Sequence, residues 1–139
     1  MSEVIVTSGT SGYIQHIEAG NHSFVADEPL PDGEDAGPDP YGLLLAALGA
    51  CTAMTIQMYA RRKKWPLGRV RVALTYERVH KKDCDDCEDP AERAHRIERV
   101  VQLEGALSDE QRDRLLEIAE LCPVHRTLRE PKEFVTTLA

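Results

Sequence analysis

Four cysteines are the residues whose chemistry reaches furthest in this 139-residue chain. Cys51 closes the apolar stretch GLLLAALGAC, and Cys122 stands before Pro123 in LCPVHRTL. A thiol on an apolar stripe can be there for packing alone, since free cysteine is among the most buried residue types. Cys122 has a further property. The residue before a proline is pushed out of the α region, which predicts that Cys122 sits at a helix junction with Pro123 opening the next turn. A thiol at a helix N-terminus meets the positive end of the dipole and unpaired N–H groups, which lower its pKa and favour the nucleophilic thiolate.

The other two cysteines form a different constellation. In HKKDCDDCED, His80, Cys84 and Cys87 have H-x3-C-x2-C spacing. Two residues between thiols let both reach one tetrahedral zinc ion, with His95 across the loop as a fourth ligand. The surrounding Asp83, Asp85, Asp86, Glu88 and Asp89 attract a cation but also raise thiol pKa values, which argues against a fast nucleophilic dithiol. With only half of the usual double C-x2-C signature present, an unbound exposed pair, a zinc site and a redox relay all stay open.

These residues need elements to hold them. EVIVTS, YIQHIEA and SFVADEP are short β-branched or alternating segments separated by turn residues, which predicts a three-stranded antiparallel meander. The acidic loop PLPDGEDAGPDP, half of it Pro or Gly, reads as an exposed linker that stops the third strand. From Tyr41 the spacing of Leu44, Leu48, Cys51, Thr55 and Met58 predicts a helix reaching RRKKWP, with Asp39 as its N-cap and Pro40 in its first turn.

Beyond Pro66 the period becomes two. Val70, Val72, Leu74 and Tyr76 share one face, as do Ile97, Val101 and Leu103 after the polar insertion, so the two runs predict a long hairpin. Ser108 opens a second helix with Gln111 completing a capping box, and Leu115, Ile118, Ala119 and Cys122 share its apolar side. VHRTLRE reads as a short turn and FVTTL as a last strand. The order βββ, helix, ββ, helix, β describes a single α+β domain over residues 1–139, with 81–90 as an acidic insertion.

Composition narrows the functions. A net charge of −7 and a pI near 5.2 argue against nucleic-acid and anionic-membrane partners. The longest apolar run falls short of the roughly 20 residues of a membrane span. MSEVIVTSG has no basic segment ahead of an apolar one, so a cytoplasmic protein with free or reactive thiols is expected.

DPYGLLLAALGACTAMTIQMYARRKKWPL followed by LCPVHRTL resembles the OsmC/Ohr family of thiol-dependent hydroperoxide reductases, over most of the chain and in the order of elements. The resemblance implies an OsmC-like fold, two long central helices wrapped by antiparallel sheets in an intertwined homodimer, with active sites at the subunit interface. It implies Cys51 as peroxidatic and Cys122 as resolving cysteine, an organic or lipid hydroperoxide as substrate, an external dithiol as reductant, and no required cofactor. Leucines with Met54 or Met58 would suit a bulky organic peroxide.

One departure stands out. The family's hydroperoxide reductases stabilise the thiolate with an arginine from the N-terminal strands, held by a glutamate ahead of the cysteine. This chain has no arginine before Arg61, and Tyr41 with Gly42 occupies the matching glutamate position. Arg61, His125, Arg126, His16 or His22 are the candidates to replace the missing charge, and Tyr41 to donate a hydrogen bond or line the pocket. The alternative is a non-enzymatic ligand-binding or redox-sensing module of the same fold.

Overall fold

The structure, a computed structural model, describes residues 2–80 and 93–139, without the side chains of His80 and Arg93. The chain forms two compact units, Met1–Leu44 and Leu45–Ala139.

In the first unit, β1 (Val4–Ser8), β2 (Gln15–Ala19) and β3 (His22–Ala26) form the expected antiparallel meander in the order β1-β2-β3. The loop after β3 is more than a linker. Asp27 is 2% exposed, and its carboxylate accepts backbone N–H bonds from Glu28 at 2.8 Å, Glu34 at 3.0 Å and Ala36 at 3.1 Å. Burial raises its pKa, but the three N–H donors outweigh burial and hold the carboxyl below its usual range. Gly33 is required there, because a Cβ would fall 2.1 Å from the Glu28 carbonyl oxygen.

Helix α1 (Pro40–Lys63) begins in the first unit and runs through the second. As expected, Asp39 caps it, its Oδ1 accepting the Gly42 N–H at 2.7 Å, and Arg61, Arg62 and Lys63 face the negative end of the dipole. Its buried residues are Leu48, Gly49, Thr52, Ile56 and Ala60, whereas Leu44 and Met58 are exposed. The buried stripe therefore lies one residue round from the expected one. The reason is steric: a Cβ on Gly49 would come 2.7 Å from Leu74 Cδ1, so the small-residue face is the one that approaches the sheet closely. Although α1 is long and apolar enough to cross a membrane, this stripe packs inside the second unit.

Strands β4 (Leu67–His80) and β5 (Arg93–Gly105) form the predicted hairpin, pairing Val70 with Leu103, Val72 with Val101, Leu74 with Arg99 and Tyr76 with Ile97. Helix α2 (Asp109–Ala119) starts at the complete Ser108–Gln111 capping box. Ile56 and Ala60 of α1 pack on Leu115 and Ala119 of α2, with Val70, Val101 and Leu103 of the sheet around them.

Two expectations need correction. The VHRTLRE segment is not a turn but lies in a further helix, α3 (Pro123–Arg129), because Pro123 restarts what Cys122 interrupts. The expected last strand is not formed: residues 131–139 carry no regular structure, and Phe134, Val135 and Leu138 are exposed. A strand needs a hydrogen-bonded neighbour, and none is paired to this segment among the described residues.

Candidate active site

Cys122 is the N-cap of α3. Its φ of −58° and ψ of 132° are the extended values that a following proline imposes, and this turns the side chain back over the helix start. The His125 backbone N–H lies 3.4 Å from Cys122 Sγ, and the Val124 N–H adds a second donor. Cys51, in the middle of α1, is half-buried; Cys122 is fully buried. Both thiols are free, and each is close enough to shift the ionisation of the other.

The two sulfurs differ in what surrounds them. Burial pushes the Cys51 thiol up, and the neighbouring Cys122 adds to this beyond what the Val124 N–H and Thr55 hydroxyl offset. Burial opposes the Cys122 thiolate too. There the His125 N–H, the Cys51 thiol, the Thr52 hydroxyl and the Val124 N–H together outweigh it and hold Cys122 below its ordinary pKa. These neighbours favour the thiolate at Cys122 and oppose it at Cys51.

A guanidinium lies behind this pair. Arg99 of β5, its side chain 10% exposed, donates from Nη1 to Thr52 Oγ1 at 2.9 Å and to the Ala119 carbonyl at 3.3 Å. Its Nη2 reaches His125 Nδ1 at 2.8 Å and Glu120 Oε1 at 3.2 Å. An arginine can only donate, so His125 Nδ1 is the acceptor and its proton sits on Nε2. That Nε2 is buried, 3.4 Å from Glu120 Oε2 but outside hydrogen-bond geometry.

Sequence reasoning missed Arg99, although a signal existed. Position 99 falls in the inward phase of β5, between Ile97 and Val101, where a charge breaks an otherwise apolar alternation.

Of the expected residues, the structure brings Cys51, Cys122 and His125 together. Arg61 is exposed in the last turn of α1, ten residues or about 15 Å along the helix from Cys51. Arg126 is exposed and lines, with His125 and Arg129, a recess of about 350 Å³. Tyr41 lies in the first turn of α1 at 42% exposure, and His16 and His22 are on β2 and β3, all three within the first unit. The zinc expectation falls largely outside the described residues, which include neither Cys84, Cys87 nor the His80 side chain. His95 Nδ1 lies 2.8 Å from the Tyr76 hydroxyl, with the two rings stacked. Among the described residues no three His, Cys, Asp or Glu side chains are grouped to hold a metal.

Residues 33–137 match the family model described as OsmC-like protein. No curated protein matches the chain. Among solved structures, the OsmC-like protein of Mycoplasma pneumoniae superposes with a TM-score of 0.75 at 17% identity, covering 93% of this chain and 87% of its own. An organic hydroperoxide resistance protein of Elizabethkingia anophelis gives 0.69 at 19% identity, covering 93% and 88%. The organic hydroperoxide resistance protein OhrB of Bacillus subtilis gives 0.60 at 18%, covering 93% and 90%. With an α+β fold of antiparallel sheets and helices common to all three, and the family model spanning most of its length, the chain belongs to the OsmC-like protein family.

Proposed function

We propose that the chain is a thiol-dependent reductase of organic or lipid hydroperoxides, working as a cytoplasmic homodimer on the Cys51 and Cys122 pair. The observation that carries this reading is the neighbourhood of two free thiols, one of them the cap of α3 with the His125 N–H on its sulfur. The printed descriptions of its structural relatives as hydroperoxide resistance proteins agree with it, and free thiols suit a reducing compartment.

The chemistry follows from the arrangement. Cys51 is the more exposed sulfur, so it is the one a peroxide meets. As it attacks, its proton passes to the neighbouring Cys122 thiolate. The S–O bond forms, the O–O bond breaks, and the alkoxide leaves and takes a proton from solvent to become the alcohol, with Cys51 as sulfenic acid. Cys122, giving up that proton, then attacks the Cys51 sulfur, and hydroxide departs as water while the disulfide forms. An external dithiol returns both sulfurs to thiols by exchange. Zinc at the His80, Cys84, Cys87 and His95 loop remains a separate proposal and takes no part in these steps.

A second reading, a redox-sensing or ligand-binding module, is favoured by one feature: burial keeps Cys51 protonated, which slows it as a nucleophile. Stopped-flow consumption of cumene hydroperoxide in the presence of an excess dithiol separates the two. The enzyme consumes peroxide faster than free thiol does and loses this in Cys51→Ser, while Cys122→Ser, oxidised without added dithiol, reacts more slowly and stops after one oxidation at a trappable sulfenic acid. Consumption no faster than free thiol would leave the sensing module.

A further inference from the structure

We propose that Arg99 is a positioning residue for the dithiol, stabilising the negative charge on Cys122 through the Thr52 hydroxyl. The inference rests on the reading of Cys51 and Cys122 as a reactive pair. It gives that pair a cation within the second unit itself.

The argument starts from the energetic cost of the residue. An arginine in the inward phase of a strand has its guanidinium taken out of water, and it is tolerated only when its donors are satisfied. A side chain needed merely to fill the space between Ile97 and Val101 would be apolar. The partners Arg99 does find are telling. Of its four, two also neighbour Cys122: His125, whose backbone N–H lies 3.4 Å from the sulfur, and Thr52 with its hydroxyl. Its remaining partners, the Ala119 carbonyl and Glu120, belong to the end of α2 just ahead of Cys122. Glu120 does not cancel the charge at the thiols, because its side chain is 60% exposed and screened by solvent while the guanidinium is 10% exposed.

The Thr52 hydroxyl is the link, and its single proton defines how it works. Its oxygen accepts from Arg99 Nη1 at 2.9 Å, its proton goes to the Leu48 carbonyl at 2.7 Å, and the neighbouring Cys122 sulfur is the alternative acceptor. When Cys122 is a neutral thiol, the carbonyl is the stronger acceptor. Once the sulfur is ionised, the hydroxyl turns to it, polarised by the guanidinium bonded to its oxygen. The cation therefore favours one protonation state of a sulfur that it does not touch.

The test uses the full chain in a Cys84→Ser, Cys87→Ser background, so that only two thiols titrate. Thiolate ultraviolet absorbance is followed against pH, with peptide-resolved alkylation assigning the first ionisation. Arg99→Met and Thr52→Val are each expected to move the lower midpoint up by about 1 pH unit or more. Arg99→Lys, which keeps a charge, is expected to move it less, and Thr52→Ser, which keeps the hydroxyl, to restore the parent value. Thr52→Val leaves the buried arginine in place and changes little volume, so it serves even if Arg99→Met fails to fold. Parent midpoints in folded Thr52→Val would overturn the proposal, whatever Arg99→Met does. The titration uses no peroxide. A protein without peroxidase activity but with these shifts would lose the enzyme reading and keep the role of Arg99.

Discussion

Among the described residues, each unit draws a charged side chain largely out of water, Asp27 in the first and Arg99 in the second, and the two are satisfied in opposite ways. Asp27 is held by backbone amides of Glu28, Glu34 and Ala36. Such donors neither titrate nor oxidise, so the charge does nothing but fix the path of a loop. Arg99 is held by a hydroxyl, an imidazole, a carboxylate and one carbonyl. Three of these can rotate, titrate or be reached by solvent, and two of them also reach a cysteine. A buried charge surrounded by main chain shapes the fold; one surrounded by side chains that can change state is placed to act in chemistry.

Breaking the second centre should have the largest effect. Arg99→Met removes the partner of several buried groups and is expected to lower stability in urea by about 3 kcal/mol, together with the upward shift of thiol ionisation. No loss of stability would mean that the guanidinium is not the satisfied, buried group described.

The first centre should fail differently. Asp27→Asn keeps one acceptor but sets an amide against a backbone N–H, and wild type should be the more stable at neutral pH. Because the folded carboxyl has the lower pKa, its contribution is present above the unfolded value of about 3.9 and is lost as pH falls through the folded one. Melting curves taken from neutral to acid pH should therefore converge for the two proteins; a gap that persisted in acid would show that the charge is not what matters.

Smaller changes sharpen the contrast between main-chain and side-chain neighbours. Gly49→Ala places a methyl group against the end of the Leu74 side chain, which can give way, while the helix gains propensity, so its melting should stay within about 1 kcal/mol of wild type. Least affected should be Glu77→Ala. The Arg96–Glu77 pair at 3.1 Å is more than half exposed on both sides, and its loss should change stability by under about 0.5 kcal/mol. An effect as large as that of Arg99 would erase the distinction between a buried and an exposed arginine on the same strand.

Local chemistry made much of this fold legible before any coordinates. The meander, the Asp39 cap, the Ser108–Gln111 box and the existence of the β4–β5 hairpin show in local alternation and capping signals. The interruption at Cys122–Pro123 was legible for the same reason, since proline can open a helix but breaks its interior. What stayed hidden depends on neighbours distant in the chain. The α1 stripe was displaced because Gly49 meets Leu74, the Asp27 loop closes on amides up to nine residues away, and FVTTL alternates too briefly to form a strand without a partner. Arg99 lay in plain view as a charge out of phase, but its partners Thr52 and His125 are 47 and 26 residues distant.

Cys122 is at once a sulfur of the dithiol and the cap of α3. A thiolate is a strong acceptor for the Val124 and His125 amides, whereas a sulfur tied into a disulfide is a weak one. Oxidation would thus let the first turn of α3 fray, making amide hydrogen exchange there a direct reporter of the redox state of the protein.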